Sequence, residues 1–284
     1  MAENPFDQPS GLPYQLPPFD RVTNADYRPA FEAGMREQRA EVQKIVADPA
    51  APDFQNTLVA LERSGQMLAR VSAVFFNLNA SNTDPQMQAI DSEIAPRLQA
   101  HEDAIFLDHA LFARIAAVYE RRGGLNLDGE SLQLLERYYI EFVRAGARLS
   151  DTDKARLRDI NGQLSSLTTQ FKQNVLKATK NGAVVVDSVA ELDGLSAEQI
   201  GAAASAAEAR GLAGKWLIAL QNTTNQPPLA QLKNRALRER IYEASTARGL
   251  PSAGSDADNT AIYVDGINVA DLFGEGLHCE NLKF

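Results

Sequence analysis

Apolar residues recur every three or four positions through most of this chain, the spacing that lines one face of an α-helix. Asn24-Ala25-Asp26 predicts the start of a helix that carries Phe31, Met35, Val42 and Ile45 and stops at Asp48-Pro49. A second helix is predicted from about Asp53, with Leu58, Leu61, Leu68, Val71, Phe75 and Leu78 on one stripe. Asp84-Pro85 pairs a capping side chain with a proline at the first helical position and predicts a third. Its stripe, Ile90, Ile94, Leu98, Ile105, Ile115 and Val118, is long, with a break expected near Leu107-Asp108. Gly123-Gly124 closes it, and Asp128-Gly129-Glu130 opens the next, with Leu132, Leu135, Tyr139, Phe142 and Leu149. Ser150-Asp151 begins the cleanest amphipathic run of all, Leu157, Ile160, Leu164, Leu167, Phe171 and Val175, which Asn181-Gly182 ends.

Beyond it the period changes. Val184-Val185-Val186 and Lys215–Leu220 read as short strands, separated by an Ala-rich helix over about 196–210. Pro227-Pro228 is expected to begin a last helix that runs to about Ala247. Before all of these, residues 1–23 hold five prolines, so an extended N-terminal arm is predicted. Phe6, Leu12, Tyr14, Leu16 and Phe19 are spaced along it, and the arm is expected to dock by its aromatics. The fold class is therefore mainly α: an antiparallel helical bundle or array with an extended N-terminal arm and a small two-stranded β element.

Composition narrows the function classes. With 44% hydrophobic and 23% charged residues, the 284-residue chain has enough apolar material for a sizeable core. Its net charge of −9 and its mixed-sign surface runs, such as Arg235–Arg240, argue against nucleic acid as a partner. No apolar run approaches the roughly 20 residues of a membrane span, so no membrane partner is expected. The start lacks a basic, then apolar, leader, and the single cysteine, Cys279, cannot form an internal disulfide. A cytoplasmic location is the expectation.

Candidate chemistry is sparse. A helical zinc-peptidase site presents two histidines four residues apart with a glutamate beside the first. The chain has three histidines, His101, His109 and His278. Glu102 follows His101, but the residue four places on is Ile105. On one helix His101 and His109 would stand roughly 12 Å apart, too far to share an ion. They read as ordinary, partly exposed histidines. His278-Cys279-Glu280 groups three ligand types without a second cluster to complete a metal site. The serine-nucleophile elbow and the phosphate-binding loop are both absent from the sequence. Glu62 is expected to pair with Arg63 or Gln66, and Asn222–Asn225 to form a turn and helix entry more readily than a substrate contact. No catalytic and no metal-binding residue is assigned, and the substrate-binding residues are unknown.

An ordered set of short stretches carries a family resemblance. They are Asn4-Pro5-Phe6, Leu12-Pro13-Tyr14, Tyr27–Met35, Pro52–Thr57 with Ala60–Gly65, Val71–Phe76, Lys215–Ile218 with Asn222–Thr224, and Asp258-Asn259-Thr260. Over about residues 4–262 the chain resembles the N-terminal part of peptidyl-dipeptidases of the thimet oligopeptidase family of zinc metallopeptidases. The resemblance implies a mostly helical protein split by a deep channel, whose N-terminal half walls the channel and limits which peptides enter. It implies a zinc site with a His-Glu-x-x-His helix further along a full-length member, and release of dipeptides from peptide C-termini.

Residues 263–284 do not resemble the family. Asp265-Gly266 there reads as a tight turn between short extended pieces. Two regions are expected: 1–248, the helical channel-wall region, and 249–284, a linker and a tail unlike the family. The expectation is a chain cut before its metal-binding helix, inactive alone, with no cofactor of its own and zinc only in a full-length member. Its expected partners are short peptides, bound weakly or not at all, a separately supplied catalytic half, or further copies of itself. The alternative is a non-catalytic helical module for peptide binding or protein interaction.

Overall fold

A computed structural model describes residues 4–250 and 257–262. Its helices start where short acceptor side chains precede the apolar stripes. In front of α1 (Asn24–Ala47), the Thr23 N–H and hydroxyl both donate to Asp26, at 2.8 and 2.7 Å. Asp53 and Asn56 exchange side-chain-to-backbone bonds of 2.7 and 2.8 Å and open a wide π-type turn, Phe54–Val59, which runs into α2 (Ala60–Glu62). Here the structure corrects the sequence pattern, which reads one helix through to Leu78. The chain breaks at Gly65, whose φ of +73° lies in the left-handed region that glycine enters without penalty. The Gly65 N–H donates to Glu41 of α1 at 2.7 Å, and α3 (Gln66–Ser81) follows.

α4 (Pro85–Phe106) is capped by Asp84, which accepts from the amides of Gln86 and Met87. The break expected at Leu107-Asp108 is present, because Asp108 accepts the Leu111 N–H and starts α5 (His109–Glu120). Asp128 does the same for α6 (Gly129–Arg144), through the Ser131 N–H. That helix ends before Leu149, since Gly146 takes a φ of +100°. α7 (Asp151–Asn181) is a helix of 31 residues.

β1 (Val184–Val186) and β2 (Trp216–Ile218) pair antiparallel, Val184 opposite Ile218, with α8 (Ala197–Glu208) between them in sequence. Two helices follow, not one. Pro227 and Pro228 lie inside α9 (Asn222–Gln231), and α10 (Arg235–Thr246) begins at Asn234, which accepts the Leu237 N–H. A proline's φ is helical, so the pair marks helix without marking its first residue.

Packing divides the described chain into two units, with the division inside α7 between Ser166 and Leu167. In the first, Tyr27 and Phe31 of α1 meet Phe75 of α3 edge-on, with ring centroids 4.9 and 5.4 Å apart. Met35, Val71, Ile90 and Ile94 complete this core. A second cluster gathers Val42, Leu58, Leu111, Ile115, Leu135 and Phe142. Gly34 lets α1 approach α3 closely; a Cβ there would lie 2.8 Å from the Leu68 backbone.

The arm departs from expectation. Phe6 is 3% exposed and packs on Tyr27, Asn4 donates to the Asp26 carbonyl, and Arg70 donates to the Phe6 carbonyl. Leu12, Leu16 and Phe19 are exposed, and Tyr14 is 99% exposed on a tight turn at Pro13–Gln15, where its φ is +57°. Of the arm's aromatics Phe6 docks, where the Asn4 and Arg70 side chains bond main-chain carbonyls beside it.

In the second unit, Val186, Leu192, Ile218, Leu237 and Ile241 form the core of the small sheet and α10. Asn259 is buried there, bonded to Asn174 at 2.9 Å, to the Phe171 carbonyl, and through its own N–H to the Gly249 carbonyl. Along α7, Leu157 and Ile160 are buried, Leu164, Leu167 and Val175 are half-buried, and Phe171 is exposed. The expected boundary between 248 and 249 lies at the edge of the described residues.

Candidate functional site

The third predicted helix is two helices, and that separates its histidines. His109 opens α5 and is exposed. His101, in the last turns of α4, is only 3% exposed. It is thus a core residue and not the partly exposed one the sequence suggested. The sequence held the signal: His101 lies three residues after Leu98 and four before Ile105, in phase with the apolar stripe.

His101 Nε2 lies 2.7 Å from Gln38 Oε1 of α1. Burial, with help from the charge of Arg39, lowers its pKa from 6.5 to about 4. The ring is therefore neutral at pH 7. With the amide oxygen as acceptor, Nε2 carries the proton and Nδ1 is a lone pair. Nδ1 is buried and has no hydrogen-bond partner.

This ring borders a cavity of about 350 Å³ within the first unit. α1 supplies Gln38, α3 Ser72 and Phe76, α4 His101 and Glu102, and α6 Tyr138 and Phe142. Protein atoms around the Glu102 carboxyl, and then the neighbouring Asp103, raise its pKa. Asp103 is itself buried and accepts from Gln99 at 3.0 Å and Asn161 at 2.8 Å. Tyr138 donates its hydroxyl to Glu62, replacing the expected Glu62 pairing with Arg63 or Gln66. Burial, and then that bond to Glu62, raise the Tyr138 pKa. The tyrosine comes from 76 residues away, so no local pattern shows the pair.

The polar run 222–225 forms the first turn of α9. The Thr224 hydroxyl donates to the Ala219 carbonyl at 2.8 Å, and Asn225 turns inward to Ser245 at 2.8 Å. His278, Cys279, Glu280 and the Asp265-Gly266 turn lie outside the described residues. Among the described residues no three His, Cys, Asp or Glu side chains come together as a metal site would need. The described residues therefore do not fit a catalytic zinc. No described helix is long and apolar enough to cross a membrane.

A helical region with a peptide-family signature spread from Asn4 to Thr260 has counterparts among known peptidases, although no family model matches the chain. It is 45% identical over 261 residues to the dipeptidyl carboxypeptidase of Escherichia coli strain K12, covering 92% of this chain and 38% of that protein. A probable cytosolic oligopeptidase A of Arabidopsis thaliana is 28% identical over 268 residues, 92% of this chain and 37% of the relative. Oligopeptidase A of Escherichia coli is 25% identical over 275 residues, 96% and 40%. The chain is thus a homologue, over nearly all its length, of part of the thimet oligopeptidase family. It spans about two fifths of the length of the curated relatives it matches.

Proposed function

We propose that this chain is a non-catalytic, channel-wall region of a zinc metallopeptidase that releases dipeptides from the C-termini of short peptides. The observation that carries this reading is the 45% identity across 92% of the chain to a dipeptidyl carboxypeptidase. The sequence supports the non-catalytic part, since none of its three histidines stands in a His-Glu-x-x-His motif. Residues 1–248 form the channel-wall region in this reading, and 249–284 a linker and a tail unlike the family. Zinc belongs to the part of the relatives that lies beyond this match, and the location is cytoplasmic. The partners in this reading are short peptides, bound weakly or not at all, and the catalytic half. The exposed Leu12, Tyr14, Leu16 and Phe19 make self-association at high concentration a further consequence.

The test is to purify the chain, measure its metal content and assay short peptides for release of C-terminal dipeptides. The expected result is no turnover, with or without added zinc. Stoichiometric zinc together with chelator-sensitive cleavage would refute the reading.

A further inference from the structure

We propose that the cavity between α1, α3, α4 and α6 binds a small amphipathic amine, with an aromatic or branched apolar body and a single ammonium head. At about 350 Å³ it falls in the size range of small-molecule sites, on the order of 300–1,000 Å³. Three features select the ligand's chemistry, and none of them enters the peptidase reading.

Apolar side chains dominate the walls; Leu61, Leu68, Phe76, Leu98, Phe106 and Phe142 accommodate a ring or branched chain. Phe106 and Phe142 already pack together at 4.7 Å between centroids, so the pocket offers aromatic faces on which a cation is also favoured. The polar side chains at the cavity include neither lysine nor arginine. The neutral His101 ring borders the cavity, so its signals report on what occupies it. Glu102 adds a carboxylate to the lining. Charge balance points the same way. Arg137 is engaged with Glu141 at 2.7 Å, and Arg39, the cation acting on the His101 ring, is exposed and not part of the lining. A carboxylate ligand would meet Glu102 with no cation lining the cavity to balance it.

The probe is 2-phenylethylamine, titrated at pH 7 into the whole chain with 13C-labelled histidine, and followed by the ring signals of His101 and His109. Phenylacetate and 2-phenylethanol share the apolar body and vary the head. The expected result is a saturable shift of His101 alone, tightest with the amine, weaker with the alcohol and absent with the acid. Glu102→Gln, on an exposed residue, is expected to weaken the amine about tenfold and leave the alcohol unchanged. Ser72→Trp is expected to fill the cavity and abolish the response while the circular dichroism stays that of the parent. Equal binding of amine and acid would overturn the assignment of ligand class. No saturable change at His101 with the amine in the millimolar range would overturn the site. Peptidase activity enters neither outcome.

Discussion

Acidification is expected to destabilise the first unit through one residue, His101. Its pKa is 6.5 when free of the fold and about 4 within it. Between those values the unfolded chain binds the proton and the folded chain does not, so stability falls as pH falls. The contribution is complete above about pH 6.5 and is lost on the way down to pH 4. Each pH unit is worth about 1.4 kcal/mol, so the 2.5 units between 6.5 and 4 correspond to about 3 kcal/mol in all. Roughly 2 kcal/mol of that is already gone at pH 5. The raised pKa of Glu102 acts in the opposite sense, and comparison with a variant that keeps Glu102 removes it from the difference. His101→Gln retains a donor for Gln38 and does not titrate. Urea unfolding at pH 8 and pH 5, followed by circular dichroism, is expected to show the parent losing about 2 kcal/mol more than the variant. The His101 ring signal is expected to stay flat from pH 8 to pH 5.5. Equal losses in parent and variant, or a His101 ring that titrates near 6.5, would refute the account of a ring held neutral by burial.

Two further outcomes test the packing. Gly34→Ala places a methyl 2.8 Å from the Leu68 backbone, which cannot yield as a side chain can, so a loss of about 1–3 kcal/mol is expected in urea unfolding; an unchanged midpoint would contradict the close approach of α1 and α3. Phe6→Ala removes the one docked aromatic of the arm, and a loss of about 3 kcal/mol is expected, with faster protease cleavage within residues 8–21; an unchanged cleavage rate would show that Phe6 does not hold the arm.

Much of the fold is written locally. Asp84, Asp108 and Asp128 cap helices where a short acceptor precedes an apolar stripe, and each bond spans two or three residues. Such a signal needs no knowledge of the rest of the chain. The two strands are equally local, being mostly β-branched or aromatic and bounded by turns. Breaks within a continuous stripe are harder to read. Gly65 interrupts the stripe from Leu58 to Leu78 without disturbing its spacing, and the left-handed turn is secured by Glu41, which is 24 residues away.

The sequence by itself determined the helical class, most of the caps, the family resemblance and the count of three histidines. Periodicity and capping depend on neighbours within a turn or two, and the resemblance and the count need no structure at all. Tertiary structure decided which arm residue is buried, which histidine loses its charge, and what Glu62 binds. Phe6 needs Tyr27, the His101 ring needs Gln38, and Glu62 needs Tyr138, partners 21, 63 and 76 positions away. Burial and pKa are properties of the space around a side chain, and that space is filled by residues that no local spacing brings together.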